Sequence, residues 1–143
     1  MRILNEEVDD SWKNASVAEL DGEIVGASVG HDVLPSILNE EPPHPALVPL
    51  IALQQRVVSN WFIESLAVYR AHRRTGIARK LLAHELSRSG DRPLSLITES
   101  YNAAALSLYE AFGFRQLEKL DAFKLYESSK PHQWVLLTRP ALN

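Results

Sequence analysis

The chain has 143 residues, of which 45% are apolar and 23% are charged, the proportions of an ordinary globular protein. Its formal net charge of −3 argues against a polyanionic partner such as nucleic acid. It has no cysteine, which excludes disulfides, thiolate metal ligands and cysteine nucleophiles and suits a reducing cytoplasm.

The length predicts a single domain over residues 1–143. The N-terminus lacks the apolar region of a signal peptide, and no apolar stretch approaches the roughly 20 residues of a membrane span. The five histidines are not spaced as metal ligands, so we interpret them as surface residues. We therefore expect a cytoplasmic protein with neither a metal site nor a membrane partner.

The first half of the chain predicts a hairpin and then a short helix. Residues 16–30 alternate around Asp21-Gly22, a strong turn signal. A proline-broken acidic segment follows, with a helix predicted over residues 46–55. The apolar residues on one side of this helix, which we expect to dock, are Leu47, Leu50, Ile51 and Leu53.

The second half predicts alternating strands and helices. The predicted strands cover 61–69, 92–99, 114–120 and 133–139, and the predicted helices begin near residues 76 and 102 and end at Gly90 and Gly113. The first of these helices has an apolar face made of Ile77, Leu81, Leu82 and Leu86. This order of elements favours helices packed on a mixed sheet.

The start of that helix has the features of an anion site. Thr75 is placed to cap one backbone N–H, but Ala78 stands where a capping box needs Glu or Gln, so several amides stay free. Gly76 permits close approach to the backbone, and Arg73 and Arg74 add positive charge. The pattern fits a pyrophosphate, or otherwise a solvated helix start with a basic flank. It lacks the ending of a P-loop and the second glycine of a dinucleotide fingerprint.

Glu64 is the first candidate for chemistry. By strict alternation it shares a strand face with Phe62, Leu66 and Val68. A carboxylate among apolar side chains costs several kcal/mol unless it is paired, hydrated or neutral. Glu64 is therefore either functional or a salt-bridged edge residue.

Tyr109 is the second candidate. It shares one helix face with Asn102 and Ala105, and it also continues an apolar stripe with Leu108 and Phe112. A core tyrosine with a satisfied hydroxyl is thus an alternative to a functional one.

Two motifs in this order resemble the GNAT superfamily of acyl-CoA-dependent N-acetyltransferases. The motif Arg/Gln-x-x-Gly-x-Gly/Ala is met by Arg73, Gly76 and Ala78. The second motif is met by Asn102, Ala105, Leu108, Tyr109, Glu110, Gly113 and Phe114. The segment "IESLAVY" before the first motif is similar to the family's central strand.

The resemblance implies an α+β fold with a mixed, mostly antiparallel central sheet between layers of helices. It implies acetyl-CoA as co-substrate and no metal. The reaction would be attack by the primary amine of a small molecule or peptide on the thioester within a ternary complex. The residues that it implies for cofactor binding are Leu66, Ala67, Val68, Arg73, Arg74, Thr75, Gly76, Ile77, Ala78, Arg79, Asn102, Ala105 and Tyr109.

The chemistry then suggests two catalytic residues. An alkyl ammonium with a pKa of ~10.4 costs about 4.6 kcal/mol to deprotonate at pH 7. Glu64 is the candidate base, although its ordinary pKa of ~4.3 makes it a poor one unless burial raises that value. Tyr109 is the candidate acid for the thiolate, and its donation is uphill by roughly 2 kcal/mol at ordinary pKa values.

Two other functions are alternatives to an N-acetyltransferase. A non-catalytic acyl-CoA-binding or regulatory module of the same fold is the first. The second, a helix-turn-helix DNA-binding protein that uses residues 76–90, conflicts with the negative charge and with the lack of a basic face.

The chain departs from the family at its N-terminus. The usual fold opens with a strand and two helices that help to wall the acceptor site, and only about fifteen residues precede the hairpin here. We therefore expect that strand and those helices to be lacking, which would leave the hairpin with an open edge. A partner chain, pairing by Met1–Leu4, or derivation from a longer product would each resolve this, and we predict a homodimer.

Overall fold

A computed structural model describes residues 1–4 and 14–141 of the chain. These residues form seven strands and three α-helices. The strands are β1 (Arg2–Leu4), β2 (Ala15–Leu20), β3 (Glu23–Asp32), β4 (Trp61–Val68), β5 (Leu94–Glu99), β6 (Arg115–Asp121) and β7 (Gln133–Arg139). The helices are α1 (Val48–Gln54), α2 (Ile77–Ser89) and α3 (Ala103–Ala111).

The seven strands form one sheet in the order β1-β2-β3-β4-β5-β7-β6. Only β4 and β5 run parallel among the described neighbours, and the other pairs are antiparallel. The predicted mixed, mostly antiparallel sheet is confirmed.

Helices cover both faces of this sheet. On one face, Leu82 of α2 and Tyr109 of α3 pack with Trp61. On the opposite face, Leu53 next to the end of α1 packs with Phe62. Because apolar side chains of adjacent β4 residues enter different cores, the sheet is buried on both sides. The predicted α/β/α layering is confirmed.

The β2–β3 turn has the backbone that its sequence predicts. Asp21 and Gly22 have φ angles of 52° and 81°. Two consecutive positive φ values are the mark of the tight hairpin turn whose twist matches that of the strands. The predicted hairpin is confirmed.

The expected absence of the first strand is wrong. Residues Arg2–Leu4 pair antiparallel with 17–19 of β2, and an ion pair joins Arg2 to Glu19 at 3.2 Å. Pairing by the N-terminal residues was one of three resolutions of the open edge, and it is the one found. The open edge therefore no longer argues for a homodimer, which stays a prediction. The expected lack of the two helices concerns residues 5–13, which lie outside the described residues.

Helix α1 begins two residues later than predicted. A 3₁₀ turn precedes it, in which the backbone N–H of Ala46 donates to Nδ1 of His44 at 3.0 Å. Ile51 and Leu53 are buried as expected, together with Pro49, whereas Leu47 is 37% exposed. The helix docks on β6 and β7, so the expected docking is found with a different set of apolar residues.

Strand β4 contains a bulge at Glu64. Ser65 pairs with Val29 and Ile63 pairs with Gly30, so Glu64 is an extra residue without a partner on β3. A bulge of this kind shifts the alternation of side chains along the strand.

The bulge corrects the face assigned to Glu64. Leu66 and Val68 pack against residues of α2 in the core on that side, whereas Phe62 lies in the core on the α1 side. Strict alternation predicts all of them on one face, and this prediction is wrong for Phe62. Glu64 is exposed and is not a carboxylate buried in an apolar strand.

Candidate functional site

A cleft opens where β4 and β5 separate. The two strands pair only at 61–63 with 94–96, although β4 continues to Val68 and β5 continues to Glu99. Beyond Ile63, the edge of β4 that faces the gap has no described strand beside it. A cleft of about 900 Å³ lies there between the strands and the starts of α2 and α3.

The cleft brings most of the candidate residues together. Those that line it are Glu64, Leu66, Ala67, Val68, Arg73, Arg74, Gly76, Ile77, Ala78, Arg79, Asn102, Ala105 and Tyr109. Thr75 is the one candidate outside the described lining. Its hydroxyl donates to the carbonyl of His72 and caps no helix amide, so the predicted capping role is wrong.

Gly76 occupies the N-cap position of α2. It has φ 85° and ψ 3°, a left-handed conformation that side chains other than glycine's adopt rarely. A Cβ built on it would meet no atom within 4 Å, so the space next to it is open. The backbone therefore requires glycine here and leaves room for a ligand.

The first amides of α2 are free. Lys80 donates to the carbonyl of Gly76 at 3.2 Å. The N–H groups of residues 77–79 donate to no described residue, and no side chain caps the helix. Free N–H groups and the helix dipole together favour an anion at this end.

Basic side chains surround these amides. Arg73, Arg74 and Arg79 line the same end of the cleft. Nε of Arg73 donates to the carbonyl of Val68 at 3.2 Å, so this arginine also joins the end of β4 to the turn before α2.

Tyr109 lies on α3 at the inner wall of the cleft. It is 9% exposed and packs edge-on against Phe114, with 5.7 Å between the ring centroids. Its hydroxyl makes no hydrogen bond with residues 1–4 or 14–141, so the partner expected of a core tyrosine is missing from the described chain. Burial raises the pKa of Tyr109 above its ordinary value, so the hydroxyl keeps its proton at neutral pH.

Asn102 has a structural role besides its place in the cleft. Its side-chain oxygen accepts from the backbone N–H of Ala105 at 3.2 Å and caps α3. The Nδ2 group donates to no described residue and stays available to a ligand.

Glu64 is paired with a histidine. Its Oε2 lies 2.9 Å from Nε2 of His31, and Nδ1 of the same ring lies 2.9 Å from the backbone oxygen of Asp32. The hydrogen bond with Glu64 raises the pKa of His31 above its ordinary value. The Glu64 side chain is 51% exposed, so it is not the buried carboxylate that the sequence predicts.

Sequence reasoning missed His31 as part of this pair. It was interpreted as a surface residue, and nothing local in the sequence links it to a residue 33 positions away. His84, interpreted in the same way, is half-buried with its Nε2 2.8 Å from the hydroxyl of Ser16.

A buried carboxylate holds α2 against the sheet. Glu85 is fully buried and accepts from Ser28 at 2.7 Å, from Nε1 of Trp61 at 2.8 Å and from Arg88 at 3.2 Å. A sequence signal for it existed, because Glu85 follows Leu81 by four residues on the apolar face of α2. The bonds fix α2 relative to β3 and β4, and therefore fix the wall of the cleft.

The sequence matches a protein family over most of its length. Residues 3–114 fit the model described as the acetyltransferase (GNAT) family. The chain belongs to this family. A search among curated proteins finds no match.

Solved GNAT-fold structures are similar to the chain. Naa20 of Chaetomium thermophilum, in complex with a bisubstrate analogue, has a TM-score of 0.68 and 18% identity, over 90% of this chain and 66% of that one. The ribosomal-protein-S18-alanine N-acetyltransferase of Escherichia coli has a TM-score of 0.64 and 18% identity, over 89% and 68%. Ard1 of Thermoplasma volcanium has a TM-score of 0.63 and 21% identity, over 92% and 72%.

These TM-scores show that the chain shares its fold with those proteins. The chain spans about two thirds of the length of the first of them. None of the helices in the described part has the length and hydrophobicity of a membrane span. Among residues 1–4 and 14–141, no three acidic or histidine side chains are grouped to hold a metal ion.

GNAT acetyltransferases generally use acetyl-CoA as co-substrate. The cleft fits such a molecule in two respects. Its basic end has free amides for phosphates, with open space beside Gly76. Its inner end has the unpaired part of β4 opposite Tyr109.

Proposed function

We propose that this protein is an acetyl-CoA-dependent N-acetyltransferase that acts on a primary amine by direct attack within a ternary complex. The observation that carries the proposal is the cleft at the separation of β4 and β5. It joins a strand edge with free backbone groups to the uncapped start of α2. Membership of the GNAT family supports the same reaction.

The pyrophosphate is assigned to the start of α2. The amides from Arg74 to Arg79 would donate to it, including that of Thr75, and the guanidinium groups of Arg74 and Arg79 add charge-assisted bonds. Gly76 supports this assignment because a side chain at that position would extend into the open space of the approach.

The pantetheine arm and the thioester are assigned to the middle of the cleft. Backbone groups of Leu66, Ala67 and Val68 would hydrogen-bond the arm, which would take the place of a neighbouring strand. Asn102 would donate through its free Nδ2, and Ala105 offers a small surface on α3. When bound, acetyl-CoA supplies an activated acetyl group.

Tyr109 is proposed as the proton donor to the leaving sulfur. The N–C bond forms as the C–S bond breaks, and the sulfur takes the hydroxyl proton of Tyr109 along with the bond electrons. The raised pKa of this residue keeps the proton available but makes its donation cost more than the roughly 2 kcal/mol of ordinary pKa values. Polarisation of the thioester carbonyl by an amide of β4 therefore matters as much as the acid.

The acceptor is proposed to be a small molecule or a peptide with a primary amine, and Glu64 is proposed to contact that amine. Glu64 is the acidic residue on the lining of the cleft among the described residues. An exposed carboxylate there attracts an ammonium group. The proposed location is the cytoplasm, which the lack of cysteine suits.

A screen of amines tests the proposal. The purified chain is incubated with acetyl-CoA and a panel of alkylamines, diamines and short peptides with free α-amino groups, and released thiol is measured. The expected result is release above the buffer rate with at least one amine. Binding of acetyl-CoA by calorimetry without turnover on any amine would favour the alternative, a non-catalytic acyl-CoA-binding module.

A further inference from the structure

The pair formed by His31 and Glu64 lies between the α1 side of the sheet and the cleft. His31 is opposite Phe62 in the β3–β4 register, and the two rings are in contact with centroids 5.7 Å apart. Phe62 belongs to the core on the α1 side, so His31 lies on that side, away from α3 and Tyr109. Glu64 follows the last β4 residue that pairs with β5, and it also lines the cleft. The pair therefore extends from the α1 side of the sheet to the gap between the strands.

The partners of the two ring nitrogens allow the protons of His31 to be assigned. The backbone oxygen of Asp32 can only accept, so Nδ1 of His31 carries a proton and donates it. A carboxylate oxygen can also only accept, so the bond between Nε2 and Glu64 requires a second proton. The paired state is thus an imidazolium with a carboxylate. Loss of one proton from this state leaves an accepting Nε2 and fixes the tautomer.

The charges around His31 favour its protonated form. Glu64 on β4 hydrogen-bonds the ring, and the carboxylate of Asp32 at the end of β3 adds to the effect, while partial burial opposes it. Arg92, between α2 and β5, forms an ion pair with Asp32 and partly offsets its charge. The pKa of His31 is therefore raised above its ordinary value, which favours the imidazolium form.

We propose that His31 is the proton acceptor for the incoming amine, and that Glu64 positions both the ring and the substrate's ammonium group. This inference rests on the proposed acetyl transfer. The ammonium donates one N–H to Oε1 of Glu64, which no described residue occupies, and one proton to Nε2 of neutral His31. The amine then attacks the thioester carbon, the N–C bond forms and the C–S bond breaks.

The protons balance over one turnover. An ammonium and a thioester give an amide, a thiol and one released proton. The attacking nitrogen loses a second proton after the N–C bond forms. This proton replaces the one that Tyr109 has given to the sulfur, so the tyrosine ends the turnover neutral. The other is the proton on His31, whose side chain is 33% exposed and can return it to solvent.

The positions of these groups give the directions of approach. The amine approaches from the α1 side, and the thioester from the side of α2 and α3.

Three variants separate this role from a structural one. His31→Gln retains a donor toward Glu64 but cannot take a proton. Glu64→Gln retains the ring and removes the charge that favours its protonation. His84→Gln is the matched control, since His84 is also half-buried and hydrogen-bonded but lies on α2 outside the described lining of the cleft.

The experiment combines the dependence of kcat/KM on pH with an NMR titration of the histidine rings, using the panel amine with the fastest thiol release. We expect the activity of the unaltered protein to rise with pH along the titration of His31. In Glu64→Gln, both the kinetic limb and the NMR titration should move to lower pH together. In His31→Gln, that limb should vanish and kcat/KM at neutral pH should fall about a hundredfold, while acetyl-CoA binding stays unchanged and the melting temperature falls only slightly, as the loss of a partly exposed pair requires. His84→Gln should retain both the rate and the limb.

The outcomes distinguish two failures. The role of His31 is refuted, while acetyl transfer stands, if His31→Gln retains the original rate and pH profile. The same conclusion follows if the NMR titration of His31 moves to lower pH in Glu64→Gln and the kinetic limb does not move with it. If no amine in the panel is acetylated by the unaltered protein, the proposed function fails and the inference fails with it.

Discussion

The two sides of the sheet offer different kinds of groups to the two proposed substrates. On the side of α2 and α3, the groups assigned to the cofactor are mainly backbone groups, held by a left-handed glycine and by the ends of two helices. On the α1 side, the assigned groups are two side chains, His31 and Glu64, that meet across neighbouring strands. Because backbone groups remain when most side chains are changed, single substitutions should weaken cofactor binding at few positions. Substitution of either residue of the pair should lower the rate of acetyl transfer.

The largest expected effect is at the backbone itself. Gly76→Glu places a carboxylate in the pyrophosphate approach and forces a left-handed backbone on a non-glycine residue. Affinity for acetyl-CoA should fall about a hundredfold or more by calorimetry.

The control for that change is Gly22→Glu in the β2–β3 turn. Gly22 has a similar φ of 81° and equally open surroundings, so the strain on folding should be comparable and affinity should stay as it was. Equal affinity in the Gly76 variant would place the pyrophosphate elsewhere.

Glu85→Ala should have the largest effect on stability. The change leaves Arg88 and the Trp61 N–H without their carboxylate in a buried site, and the free energy of unfolding should drop by about 3–5 kcal/mol in denaturant titrations. Ser87→Ala, on the exposed side of α2, should change it by about 0.5 kcal/mol or less. Similar values for both variants would contradict the structural role given to the buried carboxylate.

Tyr109→Phe tests the acid while retaining the ring in its core. Because the hydroxyl makes no bond to the described residues, the melting temperature should hold and kcat should fall about 10- to 1,000-fold. Tyr69→Phe, at an exposed tyrosine beyond the end of β4, should leave kcat unchanged. A less stable Phe variant with a full rate would instead identify Tyr109 as a core tyrosine.

The smallest expected effect is on how the stability of the fold depends on pH. Since the pKa of His31 is raised in the folded protein, its pair with Glu64 stabilises the fold below the ordinary histidine pKa, and this contribution is lost as the pH rises through the raised value. Being partly exposed, the pair should contribute about 0.5 kcal/mol. His31→Gln should therefore lower the melting temperature slightly at about pH 6 and not at about pH 9, and a difference that grows with pH would contradict the assigned protonation.

Elements encoded by adjacent residues could be predicted from the sequence. The Asp21-Gly22 turn, the apolar face of α2 and the stop at Gly90 all depend on residues within one turn or one helix. The residues of the cleft lining were predicted through the resemblance to the GNAT superfamily, which two short motifs carry.

Features that depend on contacts between distant strands could not be predicted in this way. The bulge at Glu64 depends on how β4 pairs with β3, and the three residues of β1 are too few to signal a strand alone. Thr75 fits a cap by its residue type, but the left-handed backbone of Gly76 moves the helix start past it. His31 was missed because its partner is 33 positions away.

The central claim is that the two sides of the sheet divide the substrates between them, and amide chemical shifts during a titration with CoA test it most directly. We predict shifts at Leu66–Val68 and at residues 74–79, with the signals of α1 and His31 unchanged. Shifts concentrated on α1 and His31, with those at the start of α2 unmoved, would contradict the account.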